Sequence, residues 1–316
     1  MKTILAGAIA GVLLFAACGD DDDDSAATEP TAGVETVAPA TTADAGTTPT
    51  TAAGDVPGRI VSLSPTHTEM LFAIGAGDQV VAVDSLSTFP EEAADVVTDL
   101  SAYEPNVEAI AGYEPDLVIT DGTNPDLIAQ LDSLGLDHWE GSAPAAIGGV
   151  YDQIEQLGAT TGHVGEAAEL VGRMEADIAE ILAGLPPLEA PLSFYHELDD
   201  TYFSVTSDTF LGQVYNLVGL RNIADEAEGA GGGYPQLNAE FIISTNPDLI
   251  FLADAQCCGQ TADVVSARPG WDAITAVANG DIVELDEDIA SRWGPRVVDL
   301  VRTVSDAVHQ VASTPG

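Results

Sequence analysis

The amino-acid sequence predicts an α/β fold in which two lobes, each built on a parallel-type sheet, are joined by a long helix. The first observation is an internal repeat, because residues 106–119 return 132 positions later at 238–251 with six identities in fourteen. That spacing indicates two copies of one supersecondary unit, not the short units of a stacked-repeat protein. The second observation is that apolar strand-like runs alternate with helical stretches, as in a parallel sheet covered on both faces.

Both copies of the repeat contain the same local signals. An asparagine, Asn106 or Asn238, is placed to cap a short helix, and a glutamate, Glu108 or Glu240, lies in its positively polarised first turn. A Pro-Asp pair then ends the helix before an apolar strand. Each lobe is therefore expected to display one acidic side chain at a matching place.

Residues 59–144 form the predicted N-terminal lobe and residues 189–316 the C-terminal lobe. The predicted strands lie at 59–63, 80–84, 117–121 and 137–140, and then at 192–197, 249–254 and 282–285. The predicted helices lie near 66–75, 106–112 and 125–134, and then near 208–218, 238–244, 262–277 and 295–312.

Residues 145–188 are predicted to link the lobes. They contain no proline before Pro186, and their apolar residues have helical spacing. Glycines at 158, 162 and 165 are expected to divide the segment into two helices. A second helix over about 165–184 would be about 30 Å long at 1.5 Å per residue, which suits a connection between lobes. The alternative is a surface helix packed on one lobe.

Residues 1–17 have the layout of a secretory signal, with Lys2 ahead of an apolar stretch too short to span a bilayer comfortably. The small residues before Cys18 resemble the cleavage motif of bacterial lipoproteins, in which the cysteine becomes the lipidated first residue. The resemblance implies an extracytoplasmic protein anchored to the cell membrane through Cys18. The alternatives are an ordinary secreted protein and an uncleaved anchor.

Residues 18–58 are predicted to be a disordered tether. They begin with five aspartates after Gly19 and continue in Thr, Ala, Pro and Gly without an aromatic residue, so they cannot bury enough apolar surface to order the backbone.

The formal net charge of the whole chain is −44. Such an acidic surface repels phosphate backbones and argues against a nucleic-acid partner. We expect a monomer.

Five segments resemble one known family. They are Arg-Ile-Val-Ser-Leu-Ser-Pro-Thr-His-Thr-Glu at 59–69, Asn-Val-Glu at 106–108, Pro-Asp-Leu-Val-Ile at 115–119, Tyr-Pro-Gln-Leu-Asn-Ala-Glu at 234–240 and Trp-Gly-Pro-Arg at 293–296. Their order and spacing resemble the substrate-binding lipoproteins of vitamin B12 and ferric-siderophore ABC importers, which implies two Rossmann-like lobes joined by a long helix. It also implies one exposed glutamate per lobe that meets arginines of the permease, and by position these are Glu108 and Glu240. From the residues alone, each glutamate would merely complement a helix dipole.

The ligand is expected between the lobes, because ligands of open parallel sheets meet the loops beyond the carboxyl ends of the strands. Aromatic side chains would supply flat apolar walls, histidines would ligate metal or accept hydrogen bonds, and arginines would grip an anionic group. The predicted cleft residues are His67, Phe89, Tyr103, Tyr195, His196, Tyr202, Arg292, Trp293 and Arg296.

Alternatives stay open at these positions. Each histidine is also explained as a helix cap or a satisfied core residue, and each arginine as a neutraliser of the acids at 286–288. The adjacent Cys257 and Cys258 would form a disulfide ring, remain buried thiols or touch the ligand, and an inert pair is favoured. The sequence has no HExxH run or dense His/Asp cluster, so we expect no dedicated metal site and no cofactor.

These features predict a noncatalytic receptor that captures a large metal chelate, a corrinoid or a ferric siderophore, and delivers it to a permease. The acidic surface favours a nearly neutral corrinoid over an anionic ferric chelate. One alternative is an extracytoplasmic metal-dependent hydrolase on a two-lobe frame, although the sequence lacks a GxSxG elbow, a phosphate loop and a zinc-ligand spacing. The other is an envelope lipoprotein without a small ligand.

Overall fold

The computed structural model describes residues 56–227 and 229–313. The predicted signal peptide, the lipidated Cys18 and the predicted tether as far as residue 55 lie outside the described residues. The described part forms two four-stranded sheets in which every paired neighbour is parallel. This architecture confirms the predicted α/β fold of two parallel-type lobes.

The N-terminal sheet has the order β2-β1-β3-β4. All four predicted strands are present. The elements of this lobe are β1 (Ile60–Ser62), α1 (Pro65–Ala73), β2 (Val80–Val83), α2 (Val107–Ala111), β3 (Leu117–Thr120), α3 (Pro125–Leu134) and β4 (His138–Glu140), with 3-10 helices at Gly77–Gln79 and Glu91–Val96.

Two helices link the sheets, α4 (Ile147–Thr161) and α5 (Val164–Gly184). Of the three glycines expected to divide them, only Gly162 does so, because its positive φ of 82° ends α4, while the other two lie inside helices. Helix α5 has 21 residues, so it is about 31 Å long. It contacts α4 and the C-terminal helix at 297–313.

The C-terminal sheet has the order β6-β5-β7-β8. Its 3-10 helices lie at Ile223–Glu226, Ala230–Gly232 and Trp271–Ala273. The other elements are β5 (Ser193–Glu197), α6 (Phe210–Leu217), β6 (Arg221–Asn222), α7 (Ala239–Thr245), β7 (Leu249–Leu252), α8 (Ala255–Cys258), α9 (Ala262–Ser266), α10 (Thr275–Asn279), β8 (Ile282–Glu284), α11 (Glu287–Ala290) and α12 (Val297–Ser313).

Several elements of this lobe differ from the sequence prediction, and the short helices α8 and α11 were not predicted. Strand β6 was not predicted, because two residues are too few for an apolar alternation to show. The single helix predicted at 262–277 is wrong, since the chain forms α9 and α10 with a turn between them. Pro269 and Gly270 interrupt the helix, and Gly270 has a positive φ of 81°. A Pro-Gly pair is a turn signal that outweighs the apolar spacing around it.

The repeat detected in the sequence corresponds to α2–β3 in one lobe and α7–β7 in the other. Asn106 Oδ1 accepts a hydrogen bond from Ala109 N at 3.0 Å, and Asn238 Oδ1 accepts one from Phe241 N at 3.0 Å. Both asparagines therefore cap their helices as predicted.

The repeated aspartate fastens the first strand of each lobe. Asp116 Oδ2 accepts a hydrogen bond from Arg59 N at 2.9 Å, just before β1. Asp248 Oδ2 accepts from Ser193 N at 2.8 Å, at the start of β5. The Pro-Asp pair thus ends a helix and also fixes the neighbouring strand, which explains its presence in both copies.

The core extends through both lobes. One hydrophobic cluster joins Ile60 of β1, Leu170 of α5, Phe194 of β5 and Val301 of α12. Two further clusters cover the opposite faces of the two sheets. Each sheet is therefore buried on both faces, as parallel sheets usually are, and the linking helices share the core with both lobes.

Candidate ligand-binding site

The carboxyl ends of the strands define the edge of each sheet where the sequence predicted the ligand. The exposed Glu108 and Glu240 lie in the first turns of α2 and α7. Each of these helices leads into the amino end of a strand, so its own N-terminus points toward the carboxyl edge. Both glutamates therefore lie toward the predicted ligand side of their lobes.

His67 does not line an open cleft, which corrects the sequence prediction. Its side chain is fully buried, and Nδ1 lies 2.7 Å from Ser64 Oγ while Nε2 lies 3.1 Å from Gln153 Oε1. Because an amide oxygen only accepts, Nε2 carries the proton and Nδ1 accepts from the Ser64 hydroxyl. Desolvation lowers the His67 pKa to about 4, so the imidazole is neutral near pH 7.

His196 and Tyr195 are core residues as well, and their predicted place in the cleft is corrected too. His196 is fully buried beside Tyr215, with 2.8 Å between Nδ1 and the phenol oxygen, and desolvation lowers its pKa to about 3. Tyr195 is also fully buried and donates to Glu197 at 3.1 Å. The two histidines lie in separate lobes, each buried inside the packing of its own lobe, so they do not face each other across an opening.

Arg292 and Arg296 form ion pairs within the protein. Arg292 Nη1 donates to Glu69 Oε1 at 2.9 Å, and Arg296 Nε donates to Glu69 Oε2 at 2.9 Å. Glu69 belongs to α1 and is 2% exposed. Among the acids at 286–288, Asp288 accepts from Arg292 at 2.8 Å. The predicted ligand-gripping role is therefore replaced by an ion cluster that joins the two lobes.

The rest of the segment 288–296 also contacts helix α4 and the N-terminal lobe. Trp293 Nε1 donates to Gln153 Oε1 at 3.0 Å, the same oxygen that accepts from His67. The guanidinium carbon of Arg296 lies 4.2 Å from the centre of the Phe89 ring. The segment after α11 therefore crosses from the C-terminal lobe onto α1 and the loop at 86–90.

Three predicted aromatic contacts keep accessible surface. Tyr103 is 73% exposed and Phe89 is 41% exposed. Tyr202 is half-buried, and its ring stacks on Trp271 at 6.1 Å between centroids. These three side chains remain available to a ligand.

A buried acidic cluster lies at the carboxyl edge of the second sheet and was missed in the sequence. Glu197, at the end of β5, is fully buried and accepts two hydrogen bonds of 2.6 Å from Arg268. Asp254, just after β7, is also fully buried, and neither of its carboxylate oxygens has a hydrogen-bond partner in the described part of the chain. Desolvation, followed by the charge of Glu197, raises the Asp254 pKa to about 7. The available signal was the position of each acid at a strand end.

Cys257 and Cys258 are joined by a disulfide in α8, and both are exposed. Of the alternatives left open in the sequence, the structure has the disulfide ring, and buried thiols are not found. A groove of about 610 Å³ lies elsewhere, along α1 from Glu69 and Phe72 to Gly77, and reaches Phe89 and Asp95 of the neighbouring loop. Its Gly77 end lies at the amino edge of the sheet, away from the predicted ligand side.

Residues 56–227 and 229–313 contain no group of three or more His, Cys, Asp or Glu side chains arranged to hold a metal ion. Over the same residues, every helix is too short or too polar to span a bilayer.

Residues 60–289 match the family described as periplasmic binding protein. The chain belongs to the periplasmic binding protein family. Its sequence is 30% identical over 263 residues to an uncharacterised ABC transporter substrate-binding lipoprotein of Bacillus subtilis, covering 80% of each chain. It is also 30% identical over 278 residues to a cobalamin-binding protein of Halobacterium salinarum, covering 86% of this chain and 74% of that one.

Solved structures of periplasmic binding proteins share this fold. The vitamin B12-binding protein BtuF of Vibrio cholerae matches with a TM-score of 0.67 and 25% identity, over 82% of this chain and 99% of that one. The heme-binding protein RhuT of Roseiflexus matches with a TM-score of 0.71 and 24% identity, over 81% and 99%. Membership in a family of binding proteins confirms the predicted family and the noncatalytic role, and it removes the hydrolase alternative.

Proposed function

We propose that this periplasmic binding protein is the substrate-binding component of an ABC importer and carries a metal chelate, preferably a corrinoid, between its lobes. In this proposal it works outside the cytoplasm, held at the membrane by a lipid on Cys18. The observation that carries the proposal is the duplicated unit, in which two capped helices present Glu108 and Glu240 at equivalent places. The similarity to a cobalamin-binding protein over 86% of the chain supports the ligand class.

The buried histidines favour a chelate whose metal already has its own ligands. Haem iron takes an axial ligand such as histidine or tyrosine from its protein, whereas a corrinoid or a complete siderophore complex brings its own donors. His67 and His196 are fully buried and neutral, so neither is presented to a ligand. Among the predicted aromatic contacts, Tyr103 has the most exposed side chain. Its phenol oxygen is therefore the axial ligand to test if haem binds.

The net charge of the protein distinguishes the two remaining ligand candidates, a corrinoid and a ferric siderophore. The chain has a formal net charge of −44, and both Arg292 and Arg296 are engaged with Glu69. An anionic ferric chelate would therefore approach a surface of the same sign, with these two guanidinium groups already paired. A nearly neutral corrinoid meets no such barrier, so it is our preferred cargo.

Glu108 and Glu240 are proposed to dock on arginines of the permease. Both are exposed, neither has an ion-pair partner within the described residues, and both lie toward the ligand side of their lobes. Charged groups at the rim of an interface chiefly determine docking rate and register. Matched acids on two lobes suit a permease that contacts both lobes at once.

Isothermal titration of the full chain with cyanocobalamin, a ferric trihydroxamate siderophore and haemin tests this proposal. We expect cyanocobalamin to bind with a Kd in the micromolar range or below and to be preferred over the other two. If only the siderophore or only haemin binds, the proposed importer function stands and the proposed corrinoid cargo is wrong. Absence of binding to all three would contradict the proposal and favour an envelope lipoprotein without a small ligand.

A further inference from the structure

The disulfide of Cys257 and Cys258 lies on the ligand side of the C-terminal lobe. Strand β7 ends at Leu252, and the chain turns through Asp254 into α8, which carries both cysteines. This turn therefore lies beyond the carboxyl end of a central strand of the sheet. Both cysteines are exposed, so the ring they form faces solvent at the edge where ligands of parallel sheets bind.

Hydrogen bonds and one buried side chain hold the turn that carries the disulfide in place. The Glu287 carboxylate accepts hydrogen bonds from Cys257 N at 2.9 and 3.1 Å, and it also accepts one from Gln256 N. Gly259 closes the turn in the left-handed region with a φ of 73°, and its N–H donates to Ala255 O at 3.0 Å. Ala255 is buried and packs the turn onto the lobe. The two sulfur atoms are therefore presented at a fixed position.

The same support extends to the junction of the lobes. Glu287 begins α11, and the next residue, Asp288, accepts from Arg292 at 2.8 Å. Arg292 in turn donates to Leu86 O at 3.1 Å, on the loop of the N-terminal lobe. The disulfide thus stands beside α11, whose Asp288 pairs with the arginine that contacts the N-terminal lobe.

We propose that the Cys257–Cys258 disulfide is a ligand contact, a rigid sulfur platform for the flat conjugated ring of a metal-binding macrocycle. This inference rests on the proposed function and narrows its ligand class. Sulfur is polarisable and packs favourably against π-systems. A closed ring that is already immobilised loses little conformational entropy when a ligand covers it. A corrin or porphyrin offers such a flat face, whereas a ferric trihydroxamate does not.

Titration of double variants of the full chain tests the platform. Cys257→Ser/Cys258→Ser and Cys257→Ala/Cys258→Ala both remove the ring, and Val264→Ala removes an exposed apolar side chain from α9 as a matched control. The probes are cyanocobalamin, haemin and a ferric trihydroxamate. For each flat macrocycle that the unaltered protein binds, we expect both double variants to raise Kd about three- to tenfold, on the scale of sulfur–aromatic contacts. The control and the trihydroxamate should change less than twofold.

The outcomes separate this inference from the proposed function. If the unaltered protein binds a macrocycle and both double variants, folded by circular dichroism, bind it within twofold, the platform is wrong and the importer function stands. An equal loss of trihydroxamate affinity would assign the disulfide a general structural role and overturn the platform. Binding of the trihydroxamate alone would overturn it as well. If the unaltered protein binds none of the three probes, both proposals fail together.

Discussion

Glu69 and Arg296 are 227 positions apart in the chain, yet Arg296 Nε lies 2.9 Å from Glu69 Oε2. Glu69 belongs to the first helix of the N-terminal lobe, and Arg296 directly precedes the last helix of the chain. Arg292 donates to the same carboxylate. The two ends of the folded chain are therefore joined by a largely buried ion cluster at the junction of the lobes.

Removing the shared carboxylate should be strongly destabilising. Glu69→Ala leaves two guanidinium groups, with side chains 10% and 17% exposed, without their common partner. Breaking a buried ion pair on one side costs about 3–5 kcal/mol. Denaturant unfolding monitored by circular dichroism measures the loss. Glu226→Ala is the matched control, because it unpairs Arg221 in a bridge whose side chains are 50% and 66% exposed. An exposed pair contributes about 0–1 kcal/mol, and equal losses in the two variants would contradict the account.

The two buried histidines should make the fold sensitive to acid. Their pKa values are about 4 for His67 and about 3 for His196, below the ordinary value of 6.5, because desolvation disfavours the charged ring. As the pH falls below about 6.5, these two imidazoles bind protons in the unfolded chain but not in the folded protein. Each histidine therefore lowers the free energy of unfolding by about 1.4 kcal/mol per pH unit, until the pH reaches its folded pKa.

His196→Gln tests this slope, since a glutamine retains hydrogen-bonding groups for the Tyr215 hydroxyl. We expect the stability of this variant to fall less steeply between pH 6.5 and 4.5, by about one proton. His309→Gln, at an exposed position of α12, should keep the slope of the unaltered protein. Identical slopes in all three proteins would show that His196 is not held neutral.

Asp254 should have the opposite effect on how the free energy of unfolding depends on pH. Burial, with the charge of Glu197 second, raises its pKa to about 7 from 3.8, so the folded protein binds a proton that the unfolded chain has released. This contribution weakens the fold as the pH rises from about 4 to 7 and is complete above 7. Asp254→Asn should therefore stabilise the protein at pH 8, by ~1–4 kcal/mol, and have little effect at pH 4.

Thermal unfolding at pH 8, 6 and 4 measures the effect of Asp254→Asn, with the exposed Asp263→Asn on α9 as its control. The same substitution should steepen the loss of stability in acid caused by the histidines, because it removes a group that opposes them. A destabilised Asp254→Asn protein at pH 8 would mean that the ionised carboxylate has a partner in solution.

Glu108 and Glu240 should affect delivery of the chelate to the permease and not its binding to this protein. Single and double substitutions to alanine are expected to leave the Kd for the bound chelate within about twofold, because rim charges lie outside the pocket. Uptake of the labelled chelate by cells should fall about tenfold or more in the double variant. Glu180→Ala, on the exposed face of α5, is the control and should leave uptake unchanged. Loss of binding in either single variant, with normal transport per bound ligand, would make this assignment wrong.

The features that the sequence predicted well are local or repeated. The asparagine caps at 106 and 238, the strands that follow them and the helix at 164–184 all depend on short-range signals of capping, proline position and apolar spacing. The break at Pro269 and Gly270 was also visible in the sequence. It was missed because the apolar spacing on either side still fitted one helix.

The candidate site was less predictable because its contacts are long-range. Arg292 and Arg296 were correctly placed near the junction of the lobes, but their partner Glu69 is more than 220 positions away, and no local pattern joins them. The burial of His67 and His196 likewise depends on side chains from distant elements, Gln153 for one and Tyr215 for the other. The carboxyl ends of the predicted strands therefore located the edge, and tertiary packing decided which side chains remain exposed.

The cargo is the central claim, and native mass spectrometry of the protein purified from its own host tests it most directly. The measurement reads the mass of whatever stays bound to the folded chain. We expect one added mass per protein monomer, equal to that of a corrinoid, which is lost on denaturation. A protein that carries no added mass, and acquires none after incubation with cyanocobalamin, would contradict the account.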